Sequence, residues 1–308
     1  LGSRSLANRN GPDHKARRRV VGQLFSAAAL RRYSPRIVSL VDGLAADLLT
    51  AREPIPLVDR MRRFAFAVIA TVVLGLEGDD RDALFADFEL WTKALFSIPV
   101  AIPGSPFARA LAARQRLLAR LQQVLAQAPL GSGGLDLLAG GLDEAGLPLT
   151  DDDLVEQLLL LLFAGYETTA SSLSCLMREV LLHPEVEAWL REEVEQLSWP
   201  PEAEGAASAY DPQRAPRLEA LVQEVLRLTP PVGGFFRRTT RALVLAGVAV
   251  PAGKVVQVAL AASNRYDPSA VCAELESFRP QRHLDGPCGV ALLPFGGGER
   301  VCLGKALA

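Results

Sequence analysis

The residues best suited to chemistry lie near the carboxyl end, in the run Phe295-Gly296-Gly297-Gly298-Glu299-Arg300-Val301-Cys302-Leu303-Gly304. Three consecutive glycines let backbone come very close to something flat or bulky, because no Cβ intervenes. Cys302 then opens the segment Leu303-Gly304-Lys305-Ala306-Leu307-Ala308, which reads as a helix N-terminus. Unpaired N–H groups and the helix dipole there favour thiolate over thiol. A thiolate accepting backbone hydrogen bonds is suited to be an electron-donating ligand of iron. Two other chemistries fit less well. Gly298 to Gly304-Lys305 has one residue too many for a phosphate loop, and Ala306 stands where magnesium needs Ser or Thr. His283, Cys288 and Cys302 lack the paired spacing of a zinc site.

Three other constellations stand out. Glu224 and Arg227 lie at i and i+3 on a helical pattern and share a face; alone, such a pair is usually a solvated one. Ala164-Gly165-Tyr166-Glu167-Thr168-Thr169 places a glycine, an acid and two hydroxyls inside a Leu-rich helix, against propensity and against burial. Taken alone it also suits a helix leaving the core with Glu167 at the solvent edge. His14 and Arg18 are four apart in a basic helix, whose default reading is a solvated face.

The elements that must position these residues are mostly helical. Apolar spacing predicts helices near 14–24, 35–49, 59–74, 80–95 and 107–128. A Gly-rich connector over 131–146 leads to the strongest helix, with Thr150 as N-cap and Asp151, Asp152 and Asp153 against its dipole. It should run to Leu182, and its middle, 158–164, is apolar on every face and expected to be buried. Shorter helices follow over 184–196 and 217–228, around a Pro-, Ala- and Glu-rich loop at 199–216. Short strands are expected at 242–245, 248–250 and 255–260, with Pro251-Ala252-Gly253 as a turn.

Composition narrows the classes. With 49% hydrophobic and 22% charged residues the chain can build a sizeable core. A net charge of −2 argues against a general nucleic-acid binder. Four cysteines without paired spacing make no disulfide framework, which points to a reducing, cytoplasmic home. No unbroken apolar run reaches membrane-spanning length, and no secretory signal opens the chain. The opening Leu1-Gly2-Ser3-Arg4 reads as mid-protein, so a membrane anchor upstream of it stays open.

The pattern FxxGxRxCxG, filled by Phe295, Gly298, Arg300, Cys302 and Gly304, resembles the haem-binding signature of the cytochrome P-450 family. The resemblance implies haem b, with Cys302 as axial iron ligand, Phe295 packed near the sulfur and Arg300 on a propionate. Glu224 and Arg227 then match the family's ExxR motif. Arg282, in Phe278-Arg279-Pro280-Gln281-Arg282, supplies the second arginine of a buried structural triad. The 164–169 run resembles the distal-helix motif: Gly165 would open room beside the iron, and Glu167 and Thr168 would organise water for proton delivery. His14 and Arg18 resemble the propionate-holding pair of the family's proximal helix. Arg237 resembles a further propionate arginine, with Arg238 leaving the register open by one. Two positions depart from the pattern: Gln281 replaces an acid and His283 an aromatic, which puts local packing in question.

The implied fold is a single haem-binding domain over 1–308, mainly α with a small β region and incomplete at both termini. The implied activity is a haem-thiolate monooxygenase acting on an apolar small molecule and dioxygen. Electrons would come from a separate ferredoxin, flavodoxin or flavin reductase, and the chain is expected to be a monomer. Basic residues Lys15, Arg17, Arg19, Arg31 and Arg32 are expected to form the docking face for that partner. The stretch from Phe96 to Phe107, with Pro230-Pro231-Val232-Gly233-Gly234-Phe235, is similar to the branch containing retinoic-acid and sterol hydroxylases, which implies an isoprenoid or retinoid-like substrate. Two other classes are weighed: a haem-thiolate isomerase or dehydratase, which intact Glu167 and Thr168 disfavour, and a non-catalytic haem-binding or helical interaction protein.

Overall fold

The computed structural model describes all residues except 128–133, 139, 198–212, 269, 272–273 and 287–291. The loop read at 199–216 therefore lies largely outside the described residues, as do Cys272 and Cys288. The described chain forms two compact units, one of 1–170 and 303–308, the other of 171–197 and 213–302.

In the first unit the helices are α1 (Gly11–Gly22), α2 (Ala27–Thr50), α3 (Leu57–Ile69), α4 (Gly78–Lys93), α5 (Pro106–Gln127), the single turn α6 (Leu135–Leu138) and α7 (Asp151–Leu182), which belongs here as far as Ala170. Helix α2 begins eight residues before the expected position 35 because Ser26 caps it, its Oγ accepting the Ala29 N–H at 3.3 Å. Pro35 sits inside the helix, at a cost of about 3 kcal/mol in lost hydrogen bonding and strain that packing must offset. Helix α3 widens into a π turn over Ala70–Leu74, and the Gly134 N–H donates to the carbonyls of Val72 and Val73, both at 3.1 Å. That turn explains why the helical pattern continues to Leu74 although the α-helix stops at Ile69.

Thr150 and Asp153 cap α7 reciprocally: the Asp153 N–H donates to Thr150 Oγ1 and the Thr150 N–H to Asp153 Oδ2, each at 3.2 Å. Leu158, Leu159 and Leu162 of α7 are buried against Phe66 and Ile69 of α3 and Phe85, Phe88 and Trp91 of α4. The expectation that 158–164 is buried all round is corrected: Leu160 and Phe163 are half-buried and Ala164 is exposed, so one flank of α7 is left uncovered. By length and composition alone α7 is also apolar enough to cross a membrane; its place in this core accounts for that composition equally well.

The second unit takes α7 from Ser171, then α8 (Pro184–Val194), α9 (Pro216–Leu228) and α10 (Leu260–Tyr266). Val186 and Leu190 of α8 pack on Leu221 and Val225 of α9. Strands β1 (Phe235–Arg238) and β4 (Val255–Val258) pair antiparallel, with Phe235 opposite Val258. Between them β2 (Leu243–Leu245) and β3 (Val248–Val250) form a hairpin. Ala246 and Gly247 both have positive φ at its turn, as a tight right-twisted hairpin requires. Strand β1 and α10 were not legible in the sequence: β1 is four residues long and half arginine.

Candidate functional site

The Cys302 loop is built by its glycines. Gly296 and Gly298 sit at φ 71° and 65°, left-handed values that strain any side-chain-bearing residue. The loop then turns back until the Cys302 N–H donates to the Phe295 carbonyl at 2.9 Å. Cys302 is a free, exposed cysteine, and a Cβ added at Gly296, Gly297 or Gly298 would meet nothing within 4 Å. The helix expected after it is a single 3-10 turn, Leu303–Ala306, in which the Gly304 carbonyl accepts from both Leu307 and Ala308 N–H. What the loop supplies around the thiol is exposure and open space. Phe295 and Arg300 are half-buried in the same loop, and Gly304 falls in that turn.

On α7, Tyr166 sets the orientation of the 164–169 run. Its ring is buried among Phe66, Phe85 and Phe88, at centroid distances of 6.4, 6.1 and 5.1 Å. With Tyr166 pointing inward, Ala164, Glu167 and Thr168 turn to the less covered side. Thr168 Oγ1 donates to the Ala164 carbonyl at 2.6 Å, so its oxygen keeps its lone pairs to accept a hydrogen bond. Glu167 is gripped by Arg62 of α3, Nε to Oε2 at 3.0 Å and Nη2 to Oε1 at 2.7 Å. Among the described residues no hydrogen bond joins the carboxylate to the hydroxyl. Gly165 faces Ile69, whose side chain would lie 3.3 Å from an added Cβ. The close approach here is thus first of all between α3 and α7.

His14 and Arg18 stand one turn apart on α1, His14 only 2% exposed and Arg18 half-buried. Arg17, read as part of a docking face, is instead buried: Nε bonds Asp13 at 2.5 Å and Nη1 bonds Asp153 at 2.7 Å. Arg32 is engaged bidentately by Asp136. Lys15, Arg19, Arg31 and Arg32 are the exposed members of that group.

The structure brings Glu224, Arg227 and Arg282 together. Glu224 is 0% exposed and accepts two bonds from Arg227, at 2.7 and 2.9 Å, and one from Arg282 Nε at 3.0 Å. Sequence reasoning missed two further partners: the Arg279 N–H at 2.9 Å and His283 Nε2 at 2.9 Å. Burial alone would raise the Glu224 pKa, but the bonds from Arg227, His283 and the Arg279 N–H outweigh it and hold it at about 2. Arg227 also donates to the carbonyls of Asn264, Leu275 and Ser277, so three segments meet on one ion pair. The replacement of an aromatic by His283 thus completes the network.

Residues 132–308 match the family described as Cytochrome P450. Over its whole length the chain is 34% identical to cytochrome P450 120 of Synechocystis sp., spanning 70% of that protein. The chain belongs to the cytochrome P450 family. It is also 32% identical, over its full length, to cytochrome P450 26B1 of Danio rerio, of which it spans 63%. Among solved structures it superposes on cyanobacterial CYP120A1 with retinoic acid bound, with a TM-score of 0.86 and 32% identity, covering 99% of this chain and 70% of that one. The mainly helical fold with a small sheet is the P450 fold, and the family is one of oxidoreductases, monooxygenases that bind haem b.

The residues present fit that group. Haem of this family needs an open thiol with space for a flat ring beside it, and cations for its propionates. Cys302 is exposed next to three glycines with nothing around their Cβ positions. On β1, Arg237 is exposed with its guanidinium 4.4 Å over the Phe235 ring, while Arg238 donates to the Gly253 carbonyl at 3.0 Å. Arg237 Nη1 in turn donates to the Phe236 carbonyl at 2.9 Å and both arginines are exposed, so the register between them stays open by one.

Proposed function

We propose that this chain is the greater part of a P450 monooxygenase that holds haem b through Cys302 and hydroxylates a retinoid-like or other isoprenoid lipid. The observation that carries the reading is the exposed Cys302 thiol at the end of a glycine loop closed onto Phe295. Arg300, Arg237, Arg18 and His14 would hold its propionates. Bound haem would supply one-electron and dioxygen chemistry, inserting one oxygen atom into substrate and releasing the other as water.

The chain's own residues would handle protons. The Thr168 hydroxyl gives its hydrogen to the Ala164 carbonyl, which leaves its oxygen free to accept from a water. Glu167, held by the Arg62 fork, is placed one residue away as the acid of that relay. The Glu224, Arg227 and Arg282 network is structural and takes no part in that traffic. A retinoid-like substrate is supported by the 32% identity to CYP120A1, whose structure holds retinoic acid. Electrons come from a separate ferredoxin, flavodoxin or flavin reductase, and the working unit is a monomer.

The test is a retinoic-acid titration of the full-length ferric protein, followed by turnover with a generic electron donor. A saturable shift of the haem band and a hydroxylated product support the proposal. No shift and no product with retinoids or sterols would remove the substrate assignment.

A further inference from the structure

The first two turns of α7 carry a set of buried polar groups that the hydroxylase reading does not use. Gln157 is 0% exposed, and its carboxamide treats the preceding chain as a neighbouring strand would: Oε1 accepts the Leu6 N–H at 2.7 Å, and Nε2 donates to the Arg4 carbonyl at 2.9 Å. The Arg4 N–H donates to Glu156 Oε2 at 2.7 Å. One turn earlier, Asp153 accepts Arg17 Nη1 at 2.7 Å through one oxygen and Thr150 Oγ1 at 2.6 Å through the other. Burial would raise the Asp153 pKa, but the bonds from Thr150 and Arg17 hold it below the ordinary value. Arg17 also bonds Asp13, which pairs with Arg9 at 3.1 Å. The chain from Arg4 to Arg17 is therefore pinned to residues 150–157 of one helix.

Apolar packing would not place an amide and an ion pair here. A buried amide costs a few kcal/mol unless its partners are supplied, and a buried ion pair rarely stabilises more than a well-packed apolar pair. What such groups fix is register, since each has one geometry in which every bond is made. Register matters at this place. Arg17 is flanked on α1 by His14 and Arg18, and α7 continues as one helix to Gly165 and Thr168. At 1.5 Å per residue those two lie about 12 and 17 Å beyond Gln157 along the helix axis.

We propose that Asp153 and Gln157 are positioning residues, Asp153 holding α1 and Gln157 the segment leading into α1 against α7. They would thereby fix His14 and Arg18 relative to Glu167 and Thr168. The proposal rests on the haem reading of His14 and Arg18, and neither positioning residue touches the reacting atoms.

The experiment uses the full-length holoprotein with Gln157→Leu, Arg17→Met, Asp153→Asn and the Arg17→Met/Asp153→Asn pair. Arg116→Met, which removes an exposed α4–α5 ion pair, is the control. Haem transfer to apomyoglobin, the ferric/ferrous midpoint potential and exchange of the Leu6 amide hydrogen are read. Gln157→Leu should expose the Leu6 amide to exchange, shift the potential and speed haem loss by about tenfold, which is about 1.4 kcal/mol. Arg17→Met and Asp153→Asn should each shift the potential and speed haem loss, and their pair should do so by less than the two effects added, because both break the contact they share. If Gln157→Leu retains no haem, Gln157→Glu decides in its place, since it keeps the acceptor for Leu6 and loses the donations to the Arg4 and Asp153 carbonyls. A lowered melting temperature with parental haem transfer and potential would overturn the proposal and leave these residues merely structural. Cys302→Ser separates the levels: if it loses the thiolate spectrum while the α7 variants match the parent, only the positioning claim fails.

Discussion

His283 Nε2 lies 2.9 Å from Glu224 Oε2, closing a buried carboxylate that already accepts from Arg227, Arg282 and the Arg279 N–H. A carboxyl held at about 2 instead of 4.5 contributes on the order of 3 kcal/mol to folding. The sign follows from the depressed value: the contribution is fully present above about pH 4.5 and is lost as pH falls toward 2. Denaturant titrations should show the parent losing stability over that window. Glu224→Gln should lose about 3–5 kcal/mol at neutral pH, because it strands two buried arginines. His283→Phe should cost only about 1–2 kcal/mol, since the other donors remain. A His283→Phe loss as large as that of Glu224→Gln would contradict this ranking.

Thr168→Ala should still bind haem and consume reductant, but release more peroxide per product, because it removes the hydroxyl oxygen proposed to accept from water. Peroxide assay beside product formation reads this directly. Coupling equal to the parent's would take Thr168 out of proton delivery.

Gly234→Ala should destabilise the protein by about 1–3 kcal/mol, the usual cost of overpacking. A Cβ there would strike the Val258 carbonyl at the start of the β1–β4 pair, and a backbone atom cannot swing aside. The control is Gly233→Ala, where a Cβ meets nothing within 4 Å. Equal melting temperatures for the two variants would contradict the geometry.

Lys15, Arg19, Arg31 and Arg32 are exposed, Arg32 in a pair with Asp136, and Arg17 is buried against Asp13 and Asp153. Reduction by an acidic donor should therefore slow as ionic strength rises, and slow further in Lys15→Glu/Arg19→Glu. Stopped-flow reduction rates insensitive to both changes would exclude this face as the docking site.

What the sequence made legible was local. The Cys302 segment, the i,i+3 spacing of Glu224 and Arg227, and the cap at Thr150 are each read within a few residues. The pairing of Arg62 with Glu167 spans 105 positions and left no mark on either neighbourhood. Arg17 sits in a basic run, and only the packing of α1 decides which of its cations face inward. Asp153 was read as a dipole partner, yet its three-residue spacing from Thr150 is that of a capping box and carried the signal for its inward role. Pro35 misled because a proline usually opens a helix, and here the stronger cap at Ser26 lies upstream.

The most direct measurement of the central claim is the spectrum of the reduced full-length protein under carbon monoxide, parent beside Cys302→Ser and Cys175→Ser. The account predicts a thiolate-type band in the parent and in Cys175→Ser, and its complete loss in Cys302→Ser. An unchanged thiolate band in Cys302→Ser would contradict Cys302 as the iron ligand, and with it the reading of the loop that holds it.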